Sequence, residues 1–155
     1  MFSDIKFISA IDLAKYVVWY TDNQGVPITN LKLQKLLYYI QGAHLKKFGW
    51  VLFHDVIEAW DYGPVVRSVY IHYCGYGALN LRPNEGDEKL CDDISAESKQ
   101  LIERVLDEKM HWTARKLIRT AVMEDPWKNH AEEVAKGERP IISMEEMALW
   151  FRGRL

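Results

Sequence analysis

Histidine and cysteine are the side chains through which this chain could hold a metal, and His72 and Cys74 stand close together, with His54, Cys91, His111 and His130 elsewhere. A zinc site needs donors at intervals that turn them toward one ion. Residues at i and i+2 of a helix do not face each other, and none of the other intervals repeats a zinc pattern. No metal ligand and no cofactor are assigned: Cys74 reads as a small packed side chain and His72 as a surface or boundary residue. Nucleophilic chemistry has no better footing. Neither cysteine has neighbours that would favour a thiolate, and no serine occupies a strand-turn-helix elbow. Gly75-Tyr76-Gly77 follows a helical stretch instead of joining a strand to one, as a phosphate-cradling loop would. No catalytic residue is assigned, and the chain is not expected to be an enzyme.

Binding chemistry has more to work with. Trp60 and Tyr62, within EAWDYGPV, are either a binding platform or, the favoured reading for Trp60, an anchor that locks a turn onto the core. Arg115, Lys116 and Arg119 share the polar face of one helix; a solvated face is the simpler reading and contact with an acidic or nucleic-acid partner the other. Formal net charge is -2 with both signs interspersed, which leaves no electrostatic footprint for phosphate backbones or anionic membranes. Nucleic acid is therefore disfavoured as the main partner. The 12% aromatic content, with six Trp, has to be divided between core and interface.

These residues are positioned by a predicted set of about six helices with at most a short strand-like segment near residues 50–60. Ser9 with Asp12, and Ile8 with Leu13, mark the start of a helix from about 10 to 22. Thr29 caps a central helix that stops near Gly49. On it Leu33, Leu36, Leu37 and Ile40 form one apolar stripe and Leu31, Tyr38 and Leu45 a second, which leaves a narrow solvent strip of Lys32, Lys35, Tyr39 and Lys46. Gly63-Pro64 reads as the opening of a third helix over 64–74, Gly63 being the cap and proline suiting the first position. Residues 78–93 have loop composition and no period, the expected mobile segment. Ser95 caps a fourth helix with Leu101, Ile102, Val105 and Leu106 on one face. Thr113 caps a fifth with Leu117, Ile118, Ala121 and Val122, stopped by Asp125-Pro126. Ser143 with Glu146 is a capping box for a terminal helix. His44 is a satisfied boundary histidine.

Length suits one domain, residues 1–155, large enough to fold without staples. The opening MFSDIKFISA lacks the features of a leader, two cysteines fit reduced thiols, and no apolar run approaches a membrane span. A cytoplasmic protein is expected.

The sequence LQKLLYY, then EAWDYGPVV, then Pro126-Trp127, resembles the Panacea antitoxin family. The residues that carry the resemblance are Leu33, Lys35, Leu36, Leu37, Tyr38, Ala59, Trp60, Gly63, Pro64, Val65, Pro126 and Trp127. Members often carry a histidine shortly before the late PW; here the chain reads RTAVMEDPW, so no role is transferred to it. The resemblance implies a mainly α-helical domain of a phage-associated toxin–antitoxin pair, which neutralises a cognate protein toxin by direct binding, as a homodimer or as a heterotetramer with the toxin. A proteolytic adaptor or other regulatory protein-binding module is the alternative, and a small-molecule or nucleic-acid-sensing regulator the second. Leu36, Tyr38, Trp60, Gly63, Pro64, Pro126 and Trp127 are expected to be structural. Lys35 and Tyr39, on the solvent strip, are the expected partner contacts, with Tyr76 and the acidic loop after it as a second set.

Overall fold

In the computed structural model, which describes residues 6–153, the organisation follows from one helix. α2 (Asn30–Phe48) is capped by Thr29, whose hydroxyl accepts from the Lys32 amide, and it ends on Gly49 at φ 85°. Every residue from Leu33 to Gly42 is buried. A surface helix would keep a polar face in water; over this stretch α2 keeps none, so the rest of the chain wraps it. The expected solvent strip therefore survives only at its ends. Lys46 is exposed and Lys32 half-buried, whereas Lys35 and Tyr39 are buried.

Around α2 lie α1 (Ala10–Asn23), α3 (Arg67–His72), α4 (Ala96–Lys109), α5 (Ala114–Ala121), α6 (Asp125–Lys128), α7 (Ala131–Ala135) and α8 (Met144–Arg152). The fold is mainly α, with eight helices among the described residues, and the short α6 and α7 exceed the six expected. Ser9, Ser95 and Thr113 cap α1, α4 and α5 through their hydroxyls, and Ser143 with Glu146 forms the full reciprocal box at α8. Pro126 does not stop α5, which ends at Ala121; it sits in the first turn of α6, where its missing N–H has no helical partner to lose. The loop expected to be mobile is anchored: Leu81 and Cys91 are buried, and the Leu81 amide donates to the Ile28 carbonyl at 2.8 Å.

β1 (Ile57–Trp60), β2 (Gly63–Val66) and β3 (Ile141–Ile142) form an antiparallel sheet with β1 in the middle. Gly63-Pro64 thus opens a strand and not a helix. With Trp60 opposite Gly63, Asp61 and Tyr62 close a two-residue hairpin, Gly63 takes φ 104°, and the β-branched Val65 and Val66 extend the pairing. α3 begins only at Arg67. Proline is tolerated because β2 is an edge strand.

At the other end of α2 the chain closes with α8. Gly42 has no Cβ, and one built there would lie 2.4 Å from the Phe151 ring, so the ring occupies the space a side chain would need. Tyr38 meets Phe151 edge-on at 5.5 Å, and Arg152 Nη1 donates to the Leu45 carbonyl at 2.7 Å. No helix among the described residues is long and apolar enough to cross a membrane.

Candidate partner-binding site

Five polar residues of α2, Asn30, Gln34, Lys35, Gln41 and His44, are buried, and each bonds to the backbone of a segment packed against the helix. Gln34 Oε1 accepts from the Val66 amide at 2.9 Å, and its amide donates to Asn30 Oδ1 at 2.9 Å. Gln41 Oε1 accepts from the Leu52 amide at 2.9 Å while Nε2 donates to the Phe53 carbonyl at 2.7 Å. His44 lies 2.9 Å from the Trp50 carbonyl through Nδ1 and 2.8 Å from the Ser98 hydroxyl through Nε2. A carbonyl only accepts, so Nδ1 carries the proton and Nε2 receives one from Ser98. Burial holds the His44 pKa below its usual value, against the opposing effect of the Trp50 bond.

Lys35 is the extreme member of this row. It is fully buried, its Nζ donates to the Pro64 carbonyl at 3.0 Å, and burial lowers its pKa to about 7. Its stem fills the space beneath the hairpin, where a Cβ at Gly63 would stand 2.9 Å from Lys35 Cε. Glycine at 63 is thus required twice, by its positive φ and by the lysine. Lys35 cannot reach a partner's surface in this fold; it and Gln34 satisfy the outer edge of β2.

The hairpin residues divide by face. Ile57 and Ala59 point inward and are buried, whereas Glu58 and Trp60 point outward and are half-buried. Trp60, read from the sequence as an anchor locking a turn onto the core, is not a buried anchor: period-two alternation places it on the outer face. Its indole N–H donates to Glu58 at 2.8 Å, Tyr70 meets it edge-on at 4.9 Å, and the Arg139 guanidinium lies 3.8 Å over its ring. Trp127 Nε1 donates to the Trp60 carbonyl at 2.8 Å. The three separate sequence pieces therefore meet: KLLYY through Lys35 on Pro64, and Pro126-Trp127 through the indole on Trp60.

Only the tip has no such duty. Tyr62 is 65% exposed, Asp61 and Arg139 are exposed, and a cavity of about 100 Å³ lined by Asp61, Gly137, Glu138 and Arg139 lies beside them. Gly63 takes the left-handed position, and neither Asp61 nor Tyr62 has a positive φ, so the turn accepts most residues at 62 and has no need of a tyrosine. Arg139 carried no sequence signal, because its stacking arises from the Pro140 carbonyl accepting the Ala59 amide at 2.8 Å and bringing the 137–140 turn beside β1. Gln34 and Gln41 did carry one: two amides seven residues apart on an otherwise apolar helix face.

The remaining expected residues lie elsewhere. Tyr38 donates to Glu124 at 2.9 Å, and the Tyr39 hydroxyl is buried near the same carboxylate without meeting hydrogen-bond geometry. Burial, reinforced by Glu124, raises the pKa of both phenols. Tyr39 is 5% exposed under Lys109, whose Nζ lies 4.7 Å from its ring. Tyr76 is half-buried beside Tyr73 at 6.0 Å. Cys74, expected to be packed, is exposed beyond the end of the short α3, while Cys91 is buried and its thiol pushed up to about 12 by that burial. Among the described residues no group of three or more His, Cys, Asp or Glu is arranged to hold a metal.

A family model described as "Antitoxin SocA-like, Panacea domain" matches residues 33–128, more than half of the chain. The matched span includes α2 from Leu33 onward, the hairpin and the Trp127 tie. Over 45 residues the chain is 49% identical to "Antitoxin SocA" of Caulobacter vibrioides (strain NA1000 / CB15N). That stretch is 29% of this chain and 24% of the relative, so the chain spans about a quarter of the curated protein it matches. No solved structure matches the chain.

Proposed function

The chain belongs to the SocA-like Panacea antitoxin family, and from that membership we propose that it neutralises a co-encoded protein toxin in the cytoplasm by binding it directly, without a reaction of its own. The observation that supports a binding role for the hairpin is Tyr62, an aromatic exposed by 65% at a tip whose geometry does not call for it. Beside it stand Trp60 and Arg139, and Trp, Tyr and Arg are the residues that dominate interface energetics. Tyrosine contributes large contact area while immobilising only two side-chain torsions. The rigid base under the tip, held by Lys35, Gln34 and Trp127, keeps the ordering cost of binding low. Complex formation as a heterodimer or heterotetramer follows from this role, with nucleic acid outside the direct contact.

The test is co-expression with the neighbouring reading frame whose product is lethal alone. Wild-type chain restores growth, and Tyr62→Ala together with Arg139→Ala abolishes rescue at equal protein level. Purified complexes lose affinity by about 30-fold or more, the scale of a lost hot spot. Rescue by the double variant at wild-type affinity moves the interface off the hairpin; a neighbouring product that is harmless alone removes the antitoxin reading itself.

A further inference from the structure

A second surface lies far along α2 from the hairpin. Ala43 on α2 and Leu101 and Val105 on α4 floor a concavity of about 450 Å³. Its walls carry Lys46, which is engaged in a contact of its own, and Lys47 from α2 and, from α4, Arg104 and Glu108. Glu108 has Lys109 beside it at 3.5 Å. Lys47 lies 5.7 Å from the Phe48 ring, and neither it nor Arg104 forms an ion pair among the described residues. One unanswered cation thus stands on each wall of an apolar floor.

We propose that this groove receives an amphipathic helix of the toxin whose apolar stripe is flanked by carboxylates on both sides, an inference that rests on the reading of the chain as a direct toxin binder. Shape and charge both select that occupant. Leu101, Val105 and Glu108 follow one face of α4 over seven residues, or roughly 10 Å at the helical rise, which matches about two turns of a bound helix. The floor takes side chains at i and i+3 or i+4, as helix-in-groove complexes do. A basic partner would set its charges against Lys47 and Arg104, and a wholly apolar one would leave them desolvated. Because the groove lies on the second half of α2 and the hairpin on the first, a toxin that reaches both is held by two contacts on one rigid axis, and the second forms at the effective concentration set by the first.

The experiment is calorimetric titration of the purified full chain with the purified product of the lethal neighbouring frame, over a range of salt. The probe variant is Lys47→Glu with Arg104→Glu. Its control is Arg115→Glu with Arg119→Glu, the same charge change on the exposed face of α5. Expected is a loss of at least about tenfold in affinity and a shallower salt dependence for the groove variant, with the control within about twofold of wild type. Equal losses in both variants would reduce the effect to overall charge, and no loss in the groove variant would leave the groove without this occupant; either overturns the inference while the antitoxin reading stands. Failure of the wild-type chain to bind the lethal product overturns both. Light scattering on the free chain adds one arm: a dimer dissociated by the groove variant assigns the groove to a second copy and overturns the proposal.

Discussion

The hairpin and α8 dock on the same helix by different means. At the first half of α2 the contact is polar: Gln34 bonds to the Val66 amide and Lys35 to the Pro64 carbonyl. At the second half it is largely steric, with Phe151 seated in the space left by Gly42 and Tyr38 against its edge. Polar docking specifies register, since a slip of β2 by one residue would strand a buried amide and a buried amine, each costing about 1–3 kcal/mol or more. Steric docking supplies attraction with less positional discrimination. The half that holds the candidate interface is the half whose register is specified, which is what a presented side chain at a hairpin tip requires.

The largest way to separate the two modes is pH. Lys35 titrates near 7 in the folded chain against 10.5 for an ordinary lysine. Between these values the unfolded chain binds a proton that the folded chain does not, so stability rises as pH increases through the window and is flat in this group below it. At about 1.4 kcal/mol per pKa unit the rise across the window is on the order of 5 kcal/mol. Urea unfolding at pH 7 and pH 9.5 should show wild type gaining stability with pH and Lys35→Met losing most of that gain. Parallel behaviour of the two would mean that the amine is solvated and the polar account of the hairpin is wrong. The steric half answers to Gly42→Leu, which must displace Phe151 and should cost about 3 kcal/mol, the upper part of the usual overpacking range, with no change in pH dependence. Thermal unfolding checks it, and an unchanged Tm would show that α8 does not seat as described.

How much of this was legible depends on the distance over which each feature is decided. Helix caps are decided within four residues, and Ser9, Thr29, Ser95, Thr113 and Ser143 all cap as their spacing indicates. The two apolar stripes of α2 announced a buried helix. What covers its third face comes from β2 and α8, remote in sequence, so Lys35 and Tyr39 read as exposed when they are core. Gly63-Pro64 was misread because proline has the same φ at a helix start as in an extended edge strand; the two valines that follow favour the strand. The stacking of Arg139 on Trp60 needs β3 beside β1, a pairing of two residues too short to announce itself.

A smaller effect tests the joint between the motif pieces. Trp127→Phe keeps the ring and removes the indole donor, leaving the Trp60 carbonyl without its 2.8 Å bond. The expected cost is about 1 kcal/mol if water reaches that carbonyl and about 2 kcal/mol if it does not. Chemical denaturation measures it. A cost of zero would detach the late PW pair from the hairpin and leave the base of the tip to Lys35 and Gln34 alone.

The smallest expected effect on stability is the most informative one for function. Tyr62 belongs to neither docking mode: it is 65% exposed, and no hydrogen bond or ring contact from the described residues holds it. Tyr62→Ala should therefore shift stability by no more than about 0.5 kcal/mol, as exposed substitutions do, and leave the pH dependence owed to Lys35 unchanged. The same substitution is predicted to weaken toxin binding. A conservative partner, Tyr62→Phe, divides the ring from the hydroxyl, retaining affinity if contact area dominates and losing it if the hydroxyl donates to the toxin. Were Tyr62→Ala to lower stability as much as Trp127→Phe, the tip would be a structural element after all, and the contrast between a specified base and an unengaged, presented side chain would fail.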